Sequence, residues 1–136
     1  LQFAFDSREE SDYLPHNYTH NCVVYTGTHD NDTVMGWYDT LKGADKKLCD
    51  DYLRLKNADG ESVPREQIPW EFVRAAMSSV ADLAIIPMQD YLGLGSEARI
   101  NIPSTLGINW MWRMGNGDFT KELAGRIRSM TKLYGR

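Results

Sequence analysis

Cys22-Val23-Val24-Tyr25-Thr26-Gly27-Thr28-His29-Asp30-Asn31-Asp32-Thr33 is the stretch that decides how this chain reads. Its first half has the β-branched and aromatic content of a buried strand, and its second half gathers imidazole, carboxylate and amide at the strand's end. An α/β enzyme presents chemistry in this way, because the strand fixes positions while the loop carries reactive groups. His29 and Asp30 are therefore the first candidates for function.

Two more apolar runs, Leu1 to Phe5 and Ala84 to Met88, read as further strands covered on both faces. Between the second and third runs, Ala44, Leu48, Tyr52 and Leu55 recur at helical spacing. So do Trp70, Val73, Met77 and Val80, with Pro69 suited to a first turn. Asp59-Gly60 punctuates the polar stretch between these helices. Strands alternating with helices give an α/β class built from parallel βαβ units. Beyond Asp90 the sequence passes through Gly93-Leu94-Gly95-Ser96 and Asn101-Ile102-Pro103-Ser104, a long loop of the kind that is usually functional. Leu123, Ile127, Met130 and Leu133 then mark a last helix, with Asp118 as its N-cap and the sheet as its docking surface.

The composition is that of one globular domain: 136 residues, 42% hydrophobic and 25% charged, with no repeat or linker. A net charge of −4 gives no basic footprint for nucleic acid, and no apolar span or leader peptide calls for a membrane. Cys22 and Cys49 have neither metal-site spacing nor the density of a secreted disulfide framework, so the expected compartment is the cytoplasm. The chain opens in the middle of an apolar run and without Met, which leads us to expect a fragment.

The chemistry open to His29 and Asp30 divides three ways. A fixed carboxylate opposes the positive charge of an oxocarbenium-like transition state while the imidazole binds a sugar hydroxyl. Alternatively His29, Asp30 and Asp32 ligate a divalent metal. The plainest alternative is that Asp30 and Asn31 cap a turn or a helix start. His16, His20 and Cys22 lack a fourth ligand for zinc, and Gly93 and Gly95 read as a tight turn rather than an anion nest. Among the tryptophans, Trp70 reads as core, while Trp37, Trp110 and Trp112 include candidates for stacking on a sugar face.

The residues also carry a family resemblance, spread over nearly the whole chain. It rests on Leu1-Gln2-Phe3-Ala4-Phe5-Asp6, Leu14-Pro15-His16-Asn17-Tyr18, the stretch from Val23 to Thr33 with Gly36-Trp37-Tyr38, and Ile86 to Arg99 with Asn101-Ile102-Pro103 and Asn109-Trp110-Met111-Trp112-Arg113. These blocks resemble the carboxyl-terminal part of the 4-α-glucanotransferases, the amylomaltase or disproportionating family. The resemblance implies a (β/α)8 TIM barrel of the α-amylase superfamily. Residues 1–136 are then a C-terminal fragment of the catalytic barrel, a partial barrel with strands resembling 6 to 8.

It further implies transfer of α-1,4-glucan segments between maltooligosaccharides by a retaining double displacement, without cofactor or metal. Asp30 matches the transition-state-stabilising Asp and His29 the donor-sugar histidine, while Asn101 and Pro103 match a loop near the cleft. The nucleophilic Asp and the acid/base Glu would precede Leu1, in a missing N-terminal part of the same polypeptide. A retaining mechanism needs two carboxyls about 5 Å apart, and Asp6, Glu9, Glu10, Asp90 and Glu97 stand in no context that recommends them as substitutes. The isolated chain is expected to be inactive. Two readings from other classes stand beside this one. They are a metal-dependent hydrolase using His29, Asp30 and Asp32, and a non-catalytic glucan-binding module using the tryptophans and Asn101.

Overall fold

The computed structural model describes residues 1–136. Two short strands, β1 (Val23–Tyr25) and β2 (Leu83–Ile85), pair in parallel, with Val23 opposite Leu83 and Tyr25 opposite Ile85. Parallel pairing demands a crossover. Here it consists of helices α1 (Val34–Thr40), α2 (Gly43–Leu53) and α3 (Ile68–Met77). After β2 come the short α4 (Met88–Leu92) and the terminal α5 (Lys121–Leu133).

Helix α3 organises the rest because it is apolar on two sides. Pro69 lies in its first turn, where a missing amide costs nothing. On one side Ile68, Phe72 and Ala75 join Phe5, Leu53 and Val34 in the main core, where Phe5, Trp37 and Phe72 pack ring against ring at 5.8–5.9 Å. On the other side Trp70, Val73 and Met77 meet Leu123, Ile127 and Met130 of α5, with Ala84 and Ile86 at the β2 end. Ala76 closes on Val24 of β1. The helix is thus the shared wall between the sheet and both other layers.

Several expectations are corrected by these packing choices. Leu1 to Phe5 is not a strand: Gln2–Ala4 is a turn of 3-10 helix, in which the Ala4 amide donates to the Leu1 carbonyl at 2.9 Å. Leu1 reaches β1 without extending it, its nitrogen donating to the Tyr25 carbonyl at 2.6 Å and its side chain packing on the cluster that holds Val24, while Ala4 and Phe5 are drawn into the core. The strands are covered on one face, not two. Val24 is buried, but Val23, Leu83 and Ile85 keep 45%, 51% and 41% of their surface exposed.

Helix α5 docks on α3 rather than on the sheet, and it uses Tyr134 where Leu133 was expected; Leu133 is exposed. Its N-cap is Thr120, whose hydroxyl accepts from the Leu123 amide at 3.1 Å. Asp118 is engaged one turn earlier, accepting from the Gly115 amide at 2.8 Å. Val80 lies past the end of α3 and is exposed, whereas Leu55 lies past α2 yet is buried. No helix is long and apolar enough to cross a membrane.

A two-stranded sheet leaves the outer edge of each strand without a ladder partner, and the exposed Val23, Leu83 and Ile85 add an apolar face. Such edges template association with another chain. The isolated 136-residue chain is therefore expected to self-associate. Light scattering behind a sizing column checks this, and a compact monomer that unfolds in one cooperative step would contradict it.

Candidate active site

The loop from Gly27 to Thr33 leaves β1 and runs into α1, and its shape follows from local hydrogen bonds. Asn31 folds it back: its side-chain oxygen accepts from the Thr28 amide at 2.8 Å and the Thr28 hydroxyl at 2.9 Å, while its own amide donates to the Thr28 carbonyl. Thr33 then caps α1 by accepting from the Gly36 amide at 3.1 Å. Asp32 accepts from the Thr33 amide at 2.8 Å and from the Ser96 hydroxyl at 2.7 Å. The Ser96 hydroxyl and the Asp32 carboxylate both lie where a Cβ on Gly36 would stand, so that position admits only glycine without rearrangement.

These bonds leave His29 and Asp30 at the tip. The plain capping reading applies to Asn31 and not to its neighbour, because no backbone amide donates to the Asp30 carboxylate. Instead Asp30 Oδ1 accepts from Asn101 Nδ2 at 2.6 Å and stands 3.4 Å from His29 Nε2. Both side chains keep about half of their surface open, 50% for Asp30 and 55% for His29. Loops following β1 and β2 thereby meet at one carboxylate oxygen.

Two further residues complete the arrangement: Arg99, which was not anticipated as a site member, and Trp110, which the sequence offers only as a candidate for stacking on a sugar. Arg99 donates from Nη2 to the Asp30 backbone carbonyl at 2.7 Å and from Nε to the Asn101 carbonyl at 2.8 Å. Trp110 lies with its ring 5.1 Å from the His29 ring at a tilt of 34°, and its amide closes the loop by donating to the Ile100 carbonyl at 2.7 Å. Its backbone is left-handed, with φ at +68°. Pro103 is exposed in the turn beyond Asn101 and takes no part in this hydrogen-bonded group.

A groove of about 550 Å³ runs beside the tip, lined by Tyr25, Thr28, His29, Ile85, Met88 and Ile100 among others. His29 lines it directly; Asp30 stands one residue further along the loop. Underneath lies Asp90, 2% exposed, which accepts from the Thr26 hydroxyl at 2.5 Å and from the Val34 amide at 2.8 Å. It therefore grips both ends of the loop at once. The signal for it in the sequence was a lone acid inside the apolar run from Ile86 to Leu92.

The metal alternatives do not assemble. No group of three His, Cys, Asp or Glu side chains converges, since the Asp32 carboxylate turns toward Ser96, away from the tip. His16 Nδ1 pairs with the Tyr52 hydroxyl at 3.0 Å, and Cys22 donates to the Thr19 carbonyl. Gly93 ends α4 with φ at +68°, and the Gly95 amide is taken by the Glu97 carboxylate at 2.9 Å, which leaves no nest for an anion.

Comparison with known proteins adds a family to this geometry. The sequence profile of the 4-alpha-glucanotransferases matches residues 1–118. The chain is 48% identical over 137 residues to the 4-alpha-glucanotransferase of Clostridium butyricum, covering 100% of this chain and 27% of that protein. It is 46% identical over 136 residues to that of Thermus thermophilus, covering 97% and 26%. Over 139 residues it is 46% identical to the chloroplastic/amyloplastic 4-alpha-glucanotransferase of Arabidopsis thaliana, covering 100% and 23%. Among solved structures it superposes on an amylomaltase from Streptococcus agalactiae in complex with acarbose, with a TM-score of 0.88 at 34% identity, over 99% of this chain and 26% of that one. The chain thus spans about a quarter of the length of the curated relatives it matches.

The Asp90 clamp has a pH signature. Burial raises its carboxyl above the usual 3.8, and the bonds from Thr26 and Val34 offset this only in part. The folded protein then holds the proton to higher pH than the unfolded chain, so stability falls as pH rises from about 4 until the folded form ionises. Compared with Asp90→Asn, the wild type should lose urea resistance across that window and run parallel above it. A difference that is flat or that grows with pH would show that burial does not govern this group.

Proposed function

The chain belongs to the 4-alpha-glucanotransferase family, and from that premise we propose that it forms the closing part of a (β/α)8 barrel and carries one of the three carboxylates of a retaining transferase. The parallel β1 and β2 with their helical crossover suit the seventh and eighth barrel strands. The substrates in this reading are maltooligosaccharides and other α-1,4-glucans, in keeping with the acarbose held by the solved relative.

In the proposed reaction the glycosidic C1–O bond breaks as a nucleophilic Asp forms a bond to C1, and a Glu protonates the departing oxygen. The Glu then takes the proton from a sugar hydroxyl that attacks C1, and the Asp leaves with inversion of its own step. Both residues come, in this reading, from sequence outside these 136 residues. Asp30 faces the sugar ring as it gains positive charge, and His29 binds a hydroxyl of the donor sugar beside it. Asn101 orients the Asp30 carboxylate, and Pro103 shapes the loop at the cleft.

The observation that carries this assignment is the state of the Asp30 carboxylate. It is half-exposed, fixed by Asn101 at 2.6 Å, beside the groove that His29 lines, and no backbone amide consumes it. A preorganised carboxylate of this kind stabilises developing positive charge without reorganisation at the moment of reaction.

In the full-length transferase that carries this chain, Asp30→Asn should lower kcat for maltotriose disproportionation about 100- to 1,000-fold, the scale of removing an electrostatic stabiliser. Glucose release from maltotriose measures it, and near-wild-type turnover would remove Asp30 from the mechanism. The isolated 136-residue chain should release no glucose in the same assay.

A further inference from the structure

The geometry points to Arg99 as the positioning residue of this site, the strap that sets Asp30 and Asn101 against each other. This inference rests on the transferase reading of Asp30.

Arg99 binds no side chain of the pair. Its guanidinium reaches two main-chain carbonyls instead: that of Asp30 through Nη2 at 2.7 Å, and that of Asn101 through Nε at 2.8 Å. The two carbonyls belong to loops that follow different strands, so one rigid planar fork measures the gap between them. The Asn101–Asp30 side-chain bond at 2.6 Å spans the same gap from the other end. The result is a closed cycle: Asp30 carboxylate, Asn101 amide, Asn101 carbonyl, Arg99 guanidinium, Asp30 carbonyl. Arg99 is itself half-buried and follows the buried Ala98, whose carbonyl accepts from Gln89 at 3.2 Å, so the strap is anchored to the wall of the fold.

Without the guanidinium the cycle opens, both carbonyls turn to water, and the tip of each loop is free to drift. A displacement near 1 Å at a reacting group is enough to cost about 100-fold in rate. A lysine carries its three donors on one freely rotating nitrogen in place of a rigid fork, so it does not hold both carbonyls at a set separation.

The test uses the full-length transferase and compares Arg99→Ala, Arg99→Lys, Asn101→Ala and the double variant Arg99→Ala/Asn101→Ala with Asp30→Asn. We expect Arg99→Ala to lower kcat roughly 10- to 100-fold with a KM for maltotriose changed much less. The double variant should be no worse than the poorer single one, since both break the same cycle. Millimolar guanidinium should restore part of the lost kcat of Arg99→Ala and none of that of Asn101→Ala.

Multiplicative losses in the double variant, or a lower melting temperature with kcat unchanged, would overturn the inference and leave Arg99 a purely structural residue. If Arg99→Ala does not fold, Arg99→Lys decides: wild-type kcat there overturns the strap, and a kcat deficit with an unaltered melting temperature supports it. The control separates the two levels of argument. A fully active Asp30→Asn refutes the transferase reading of that residue, whereas an inactive Asp30→Asn beside a fully active Arg99→Ala refutes the strap alone.

Discussion

The buried carboxylate of Asp90 is the constraint from which the rest of the site follows. It takes the Thr26 hydroxyl at the end of β1 and the Val34 amide at the start of α1, so the seven residues between them begin and end at fixed points. Burying a carboxyl costs free energy, and the structure offsets that cost with donors that serve a second purpose, closing the loop. With its ends pinned and Asn31 tied back to Thr28, the loop has little choice but to expose His29 and Asp30 at its tip. The element that supplies Asp90, α4, belongs to the segment after β2, so a change in strand pairing would be felt directly at the tip.

The two loops at the site are therefore joined at three depths. Asp90 joins them in the interior, the Ser96 hydroxyl and the Asp32 carboxylate join them at an intermediate level, and Asn101 with Arg99 joins them at the surface. The candidate carboxylate, Asp30, lies at the shallowest of these levels. That arrangement suits a group that must stay open to a ligand yet keep its direction, because rigidity is imported from below rather than bought by burial of the group itself.

Much of this was legible in the residues. Helices α2 and α3 follow from apolar periodicity, and β1 follows from its own composition, because those patterns record which face a neighbour covers. The candidate pair His29 and Asp30 also follows from position at a strand's end. What was not legible depended on partners distant in sequence. Leu1 to Phe5 has strand composition, but the core claims Ala4 and Phe5, and an amide is spent on a local turn. Asp118 and Thr120 are both good caps, and only the Gly115 amide decides between them. Arg99 acts through main-chain carbonyls, which carry no residue code, so no pattern of side chains could announce it. Asp90 stands among neighbours that mark a buried context and not a catalytic one, and a buried position is what it occupies.

Trp110 holds its ring against His29 from a left-handed backbone, a region that an L-residue with a large side chain enters only at a cost of about 1–2 kcal/mol. Glycine at that point would relieve the torsion and take away the indole together. Heat tolerance and aromatic coverage of the imidazole thus compete at one position.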